Sequence, residues 1–104
     1  MHRGTTGLIL AGLLAAAPLA AGAQDVTKGQ AVFKAQKCAT CHKIGTTGGK
    51  LAPELTKVGT KRDKGWLEKY LVNPKSINPK NIMPAVKVPD PDREALIAYL
   101  LSLR

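Results

Sequence analysis

Two cysteines three positions apart, with a histidine directly after the second, restrict this chain more than any other feature: Cys38-Ala39-Thr40-Cys41-His42. That is the pattern for covalent attachment of a c-type haem. The two thiols add across the two vinyl groups of the macrocycle. Their spacing puts both sulfurs on one side of a single helical turn, and the next residue aims an imidazole nitrogen at the iron. Two other chemistries use paired cysteines. A thioredoxin-like redox couple would want a βαβ pattern around the pair, and none is visible. A structural zinc site would need two further Cys or His ligands, and none follows His42.

A chain of 104 residues is one domain at most, and its first stretch reads as something separate. Met1-His2-Arg3 gives a short basic start. Residues 8–17 form an apolar run shorter than a bilayer span, and Ala21-Gly22-Ala23 offers the small residues that signal peptidase requires. The reading is a cleaved secretory signal peptide over residues 1–23 and one domain over residues 24–104. The competing reading is an uncleaved membrane anchor. A domain this small buries a thin core and needs a staple. Both cysteines belong to the haem motif, so covalent haem would serve where a disulfide is unavailable. Export to the periplasm suits thiols that are consumed by thioether bonds.

The formal net charge is +9, from 16 basic and 7 acidic residues, and Arg3 is the only charged residue of the proposed signal peptide. Such a balance attracts anionic surfaces. Without a nucleic-acid motif, acidic proteins are the expected partners, with plain solubilising charge as the alternative.

The remaining chain reads as helices and loops. Asp25 or Thr27 is placed to cap a first helix, and Thr27 and Gln30 have capping-box spacing. That helix covers residues 29–37 and runs straight into the haem motif, with Gly29 and Phe33 one turn apart on one face. Three glycines between residues 43 and 50 mark a loop. At its end, the Pro53 carbonyl can accept the free N–H of an iron-bound histidine and so fix the ring; an ordinary loop proline would look the same. Asp63 starts a second helix over residues 64–72, where Trp66 and Tyr70 share one face and Leu67 and Leu71 another. Asn73-Pro74 stops it. Residues 75–84 read as an extended loop holding Pro79, Met83 and Pro84. Met83 is the only methionine beyond the signal peptide. Between prolines it makes odd core filler and a sensible thioether ligand. Asp90 and Asp92 cap a last helix over residues 93–104, whose acidic start and Arg104 end complement the helix dipole. Leu96, Tyr99, Leu100 and Leu103 lie on one stripe. No strand pattern, repeat or linker competes, so the fold class is all-α.

In this order and spacing the residues resemble a class I c-type cytochrome, a small soluble monohaem cytochrome c of bacterial type. The resemblance covers essentially all of residues 24–104. It rests on Gly29-x-x-x-Phe33, Cys38-x-x-Cys41-His42, Pro53-x-Leu55, Tyr70-Leu71-x-Asn73-Pro74, Pro79-x-x-x-Met83 and the run from Arg93 to Leu100. It implies the cytochrome c fold: three main helices and short helical turns wrapped around one covalently attached haem c. It also implies His42 and Met83 as axial iron ligands, and Gly29 and Phe33 packed across the last helix near Tyr99. Leu55 would pack on the haem, Pro53 would accept the His42 N–H, and Tyr70 would bond near the Met83 sulfur. Asn81 stands where the family often places a polar residue facing a haem propionate. The segment from Leu55 to Tyr70 is short, as in compact bacterial members, which implies a more exposed haem edge. Trp66 is then expected either to cover a propionate with its indole N–H or to be plain core.

The function expected from this set is one-electron transfer, with no substrate bond made or broken and hence no enzymatic activity. His/Met coordination denies small molecules an open position and raises the potential. Lys37 and Lys43 flank the haem motif, and Lys75, Lys80 and Lys87 flank the methionine loop. Ringed around a haem edge, they would steer acidic redox partners into transient docking, with a monomer as the working unit and membrane contact only through membrane-bound partners. One alternative is a haem enzyme or gas sensor with a displaceable Met83. Another is a dedicated cytochrome subunit of an oxidoreductase complex. His2 would leave with the signal peptide, and in the rest of the chain beyond the haem motif no second histidine, paired carboxylate or nucleophile–base set is ready for acid–base work.

Overall fold

A computed structural model describes residues 21–104; the proposed signal peptide up to residue 20 lies outside the described residues. Six helical segments make up the described chain. They are α1 (Ala21–Ala35), a 3-10 turn (Cys38–Thr40), α2 (Val58–Lys61), α3 (Lys64–Val72), α4 (Pro74–Ile77) and α5 (Asp90–Ser102). The all-α expectation holds, with α1, α3 and α5 as the three main helices and the rest as single turns. No named strand occurs among the described residues, and an isolated bridge pairs Ile44 with Thr47.

The helix ends differ from the expected ones, for local reasons. α1 begins at Ala21, so Asp25 and Thr27 lie inside it and do not cap it, and the domain boundary drawn at Gln24 falls within its first turns. It also ends at Ala35, short of the haem motif. Lys37 takes left-handed geometry (φ 59°, ψ 32°), a conformation that costs a non-glycine residue about 1–2 kcal/mol. The chain therefore turns at Lys37 and starts the haem motif on a fresh 3-10 turn. α4 replaces the beginning of the expected extended loop. Pro74 stands at its first position, where the missing N–H is no loss, and the Ser76 hydroxyl donates to the Asn73 carbonyl at 2.7 Å. α5 begins three residues early, so Asp90 and Asp92 sit in its first turn, where their charge opposes the positive end of the dipole. It ends at Ser102, leaving Arg104 beyond the last turn.

α3 matches its predicted span. The Asp63 carboxylate accepts from the Trp66 backbone N–H at 2.8 Å, satisfying a donor that the first turn leaves without an intrahelical partner. Asp63→Ala should lower stability by about 1 kcal/mol, readable as a shifted midpoint in chemical denaturation with the slope unchanged.

The core lies where α1, α3 and α5 meet. Val32, Phe33, Leu67, Leu71, Ala95, Leu96, Ile97 and Leu100 are buried, and Val58 of α2 joins them. Leu96 and Ile97 are the most enclosed, and burying each contributes about 1.5–3 kcal/mol. Gly29 lets α1 cross α5 closely: a Cβ there would lie 2.6 Å from the Tyr99 Cβ and would collide with the Ala95 carbonyl. One turn on, Phe33 meets the Tyr99 ring edge-on, with centroids 5.6 Å apart and planes at 63°. The expected packing of Gly29 and Phe33 against the last helix is thus present.

Candidate functional site

Four parts of the chain, distant in sequence, line one cleft of about 410 Å³. That size suits a cofactor, since such sites run from about 300 to 1,000 Å³. The 3-10 turn supplies Cys38 and Thr40, the two residues after it are Cys41 and His42, and the following loop supplies Leu51, Ala52 and Pro53. α3 supplies Tyr70, and the methionine loop supplies residues 81–86.

Backbone hydrogen bonds build the histidine side. The Cys41 and His42 N–H groups both donate to the Cys38 carbonyl, at 3.2 and 2.9 Å, so both thiols ride on one turn. The loop then folds back on that turn. Gly49 N–H donates to Ala39 O at 2.9 Å, Ala52 N–H to Cys41 O at 3.0 Å, and Leu55 N–H to Lys43 O at 2.8 Å. Gly48 has φ 119°, a conformation that favours glycine, and a Cβ there would also lie 2.8 Å from the Lys43 Cα. This fold-back brings the Pro53 carbonyl to 2.8 Å from His42 Nδ1. A carbonyl can only accept, so Nδ1 carries a proton, and in the neutral ring that leaves the Nε2 lone pair for a metal.

The methionine side is tied to α3. Val86 N–H donates to the Leu71 carbonyl at 2.9 Å, holding the loop against the helix. Within the loop, the Met83 N–H donates to Asn81 Oδ1 at 3.0 Å, and Asn81 Nδ2 donates to the Tyr70 hydroxyl. Met83 is half-buried and packs against the hydrophobic core.

Of the residues singled out from the sequence, Cys38, Cys41, His42, Pro53, Tyr70, Asn81 and Met83 come together in the cleft. Leu55 and Trp66 are not in its lining. Leu55 is half-buried against the core. Trp66 stacks on Tyr70, with centroids 4.7 Å apart and planes at 20°, and carries the Arg62 guanidinium 4.0 Å above its ring. It adjoins the cleft only through Tyr70. Leu51 and Ile82, which composition did not single out, form apolar lips that are 77% and 87% exposed. Their one sequence signal is a large aliphatic residue inside a loop rich in glycine or proline.

The thiols of Cys38 and Cys41 both line the cleft. Both are free, and burial pushes the Cys38 thiol above its ordinary pKa, with a backbone hydrogen bond offsetting part of the rise. Among the described residues no cluster of three or more His, Cys, Asp or Glu is placed to hold a metal ion.

The Cytochrome c family model matches residues 26–104. The chain belongs to the cytochrome c family. A relative, cytochrome c oxidase subunit 2 of Alkalihalophilus pseudofirmus, is 36% identical over 86 aligned residues, covering 74% of this chain and 25% of the relative. The cytochrome thus spans about a quarter of that relative's length. Members of the family bind haem c covalently, and here Cys38 and Cys41 supply the two thiols. The cleft fits that group: it sets two free thiols on one turn, an imidazole with a free Nε2, and a thioether on the loop that completes its lining. Haem should therefore stay with the polypeptide on a denaturing gel, as read by in-gel haem staining, and a Cys38→Ala, Cys41→Ala double variant should lose the stain.

Proposed function

We propose that this cytochrome is an exported, periplasmic one-electron carrier in which His42 and Met83 are the axial ligands of the haem iron. The observation that carries the reading is the convergence of Cys38, Cys41, His42 and Met83 on one cleft, with the His42 ring already oriented by the Pro53 carbonyl. When bound, haem c supplies a one-electron ferrous/ferric couple. His42 presents Nε2 and, with its Nδ1–H held by Pro53, keeps one ring orientation in both oxidation states. Met83 offers a thioether, which favours the reduced metal and raises the potential. With His42 and Met83 both holding the iron, no coordination site would remain for a small-molecule substrate, and the proposal is therefore a carrier. Among the described residues no helix is long and apolar enough to cross a membrane.

Docking is assigned to the lysines. Lys37 lines the cleft, Lys43 follows His42, and Lys80 and Lys87 adjoin the methionine-loop lining, with Lys75 on α4. These charges would steer an acidic redox partner and release it quickly, in an interface that buries less than about 1,200 Å². The bimolecular rate with such a partner should fall at least about tenfold between 0.01 and 1 M salt, as the screening length drops from about 30 to 3 Å. A rate flat in salt, measured by stopped flow, would remove the lysines from docking.

A second reading is favoured by the relative: a cytochrome module that serves one terminal oxidase. The relative is named as an oxidase subunit and is much longer than this chain. Copurification of the native protein with an oxidase would support the module; recovery as a free monomer that reduces several acceptors would support the shuttle.

A further inference from the structure

We infer that Asn81 positions Met83, its carboxamide clamping the Met83 backbone to the Tyr70 hydroxyl. The inference rests on the proposed role of Met83 as a ligand and goes beyond it to what holds that ligand in place. It adds to the expected role of Asn81 as a polar contact for a haem propionate, since the two bonds leave one amide N–H of Asn81 unused.

The orientation of the amide follows from hydrogen-bond chemistry alone. A backbone N–H can only donate, so the side-chain atom 3.0 Å from Met83 N is the carbonyl oxygen, Oδ1. The amino group, Nδ2, then has to face the other way, and there it meets the Tyr70 hydroxyl oxygen. Because that oxygen accepts from Asn81, the Tyr70 O–H proton is free to point elsewhere, and Tyr70 lines the cleft. One side chain thus fixes the backbone of the thioether residue and the polarity of the neighbouring hydroxyl.

The far end of the clamp is rigid. Tyr70 belongs to α3, and its ring is stacked on Trp66, which is itself covered by Arg62. The near end would otherwise be loose. Residues 78–89 form no regular element, and a backbone tie of this loop to α3 comes three residues after Met83, from Val86 to Leu71. Asn81 is half-buried, so its hydrogen bonds are partly shielded from water.

The test uses the ferric holoprotein and imidazole, which competes with Met83 for iron; binding is read from loss of the weak far-red absorption band of iron–thioether bonding. Asn81→Ala should bind imidazole at least about three- to tenfold more tightly than the unaltered protein, the effect of losing the two side-chain hydrogen bonds that hold the loop. Asn81→Asp keeps an acceptor for the Met83 N–H, and the Tyr70 hydroxyl, no longer accepting, can turn to donate to the carboxylate, so both ends of the clamp are kept and the affinity should return to within about twofold of the unaltered protein. If Asn81→Ala does not fold, Asn81→Ser is the truncation to compare with Asn81→Asp. Unchanged imidazole affinity in the truncated variant, or an Asn81→Asp protein as weakened as Asn81→Ala, overturns the positioning role. A far-red band absent from the unaltered protein would instead overturn Met83 as a ligand. The two failures are therefore distinguishable.

Discussion

Met83→Ala should lower the reduction potential by on the order of 100 mV or more, within the roughly 0.8 V range that axial ligation controls. The reason lies in the donor set. Met83 is the thioether on the cleft wall, and residues 81–86 supply no other sulfur or imidazole that could take its place. Alanine leaves the iron with His42 and an open position, so the ferrous variant should also bind carbon monoxide, which the unaltered protein should not. Redox titration with a carbon monoxide difference spectrum measures both effects. A variant with an unchanged potential and no carbon monoxide binding would mean that Met83 is core filler.

The second large effect concerns the fold and not the iron. Gly29→Val should destabilise the protein by about 3 kcal/mol or more, at or above the usual range for overpacking. The added side chain has no room: even its Cβ would lie 2.6 Å from the Tyr99 Cβ and would collide with the Ala95 carbonyl. Relief requires moving α1 away from α5. That separation disrupts the Phe33–Tyr99 edge contact and the burial of Val32 and Leu96 together. Chemical denaturation of the holoprotein should show the loss, and it should exceed that of Asp63→Ala. Equal, small losses for the two variants would show that the helices cross at Gly29 with room to spare.

The sequence revealed those features whose causes are local. The haem motif is legible because its chemistry needs five consecutive residues. α3 is legible because its cap, Asp63, and its stop, Asn73-Pro74, flank it directly, and its i to i+4 pairs separate into a Leu67/Leu71 core face and a Trp66/Tyr70 face. The end of α1 was not legible. Lys37 takes a left-handed conformation that glycine usually signals, and a lysine at that position gives no such signal. α2 is not legible because four residues carry little propensity of their own; its place is set by Gly59 N–H, which donates to the sequence-distant Leu103 carbonyl at 2.7 Å. The same holds within the cleft. His42 and Pro53 could be paired from chemistry, since a ligating imidazole needs an acceptor for its second nitrogen. The link from Asn81 to Tyr70 depends on how the methionine loop lies against α3, and residue types alone do not specify that. Trp66 shows the opposite case: the i to i+4 spacing gives its shared face with Tyr70, yet its stacking on Tyr70 and under Arg62 leaves it outside the cleft lining.

The central claim is that His42 and Met83 together close the coordination of one covalently held haem. The absorption spectrum of the unaltered ferric holoprotein at neutral pH tests it most directly. The weak far-red band that reports iron–thioether bonding should be present. A spectrum that lacks this band and instead shows the pattern of high-spin ferric haem with an open or water-filled position would contradict it.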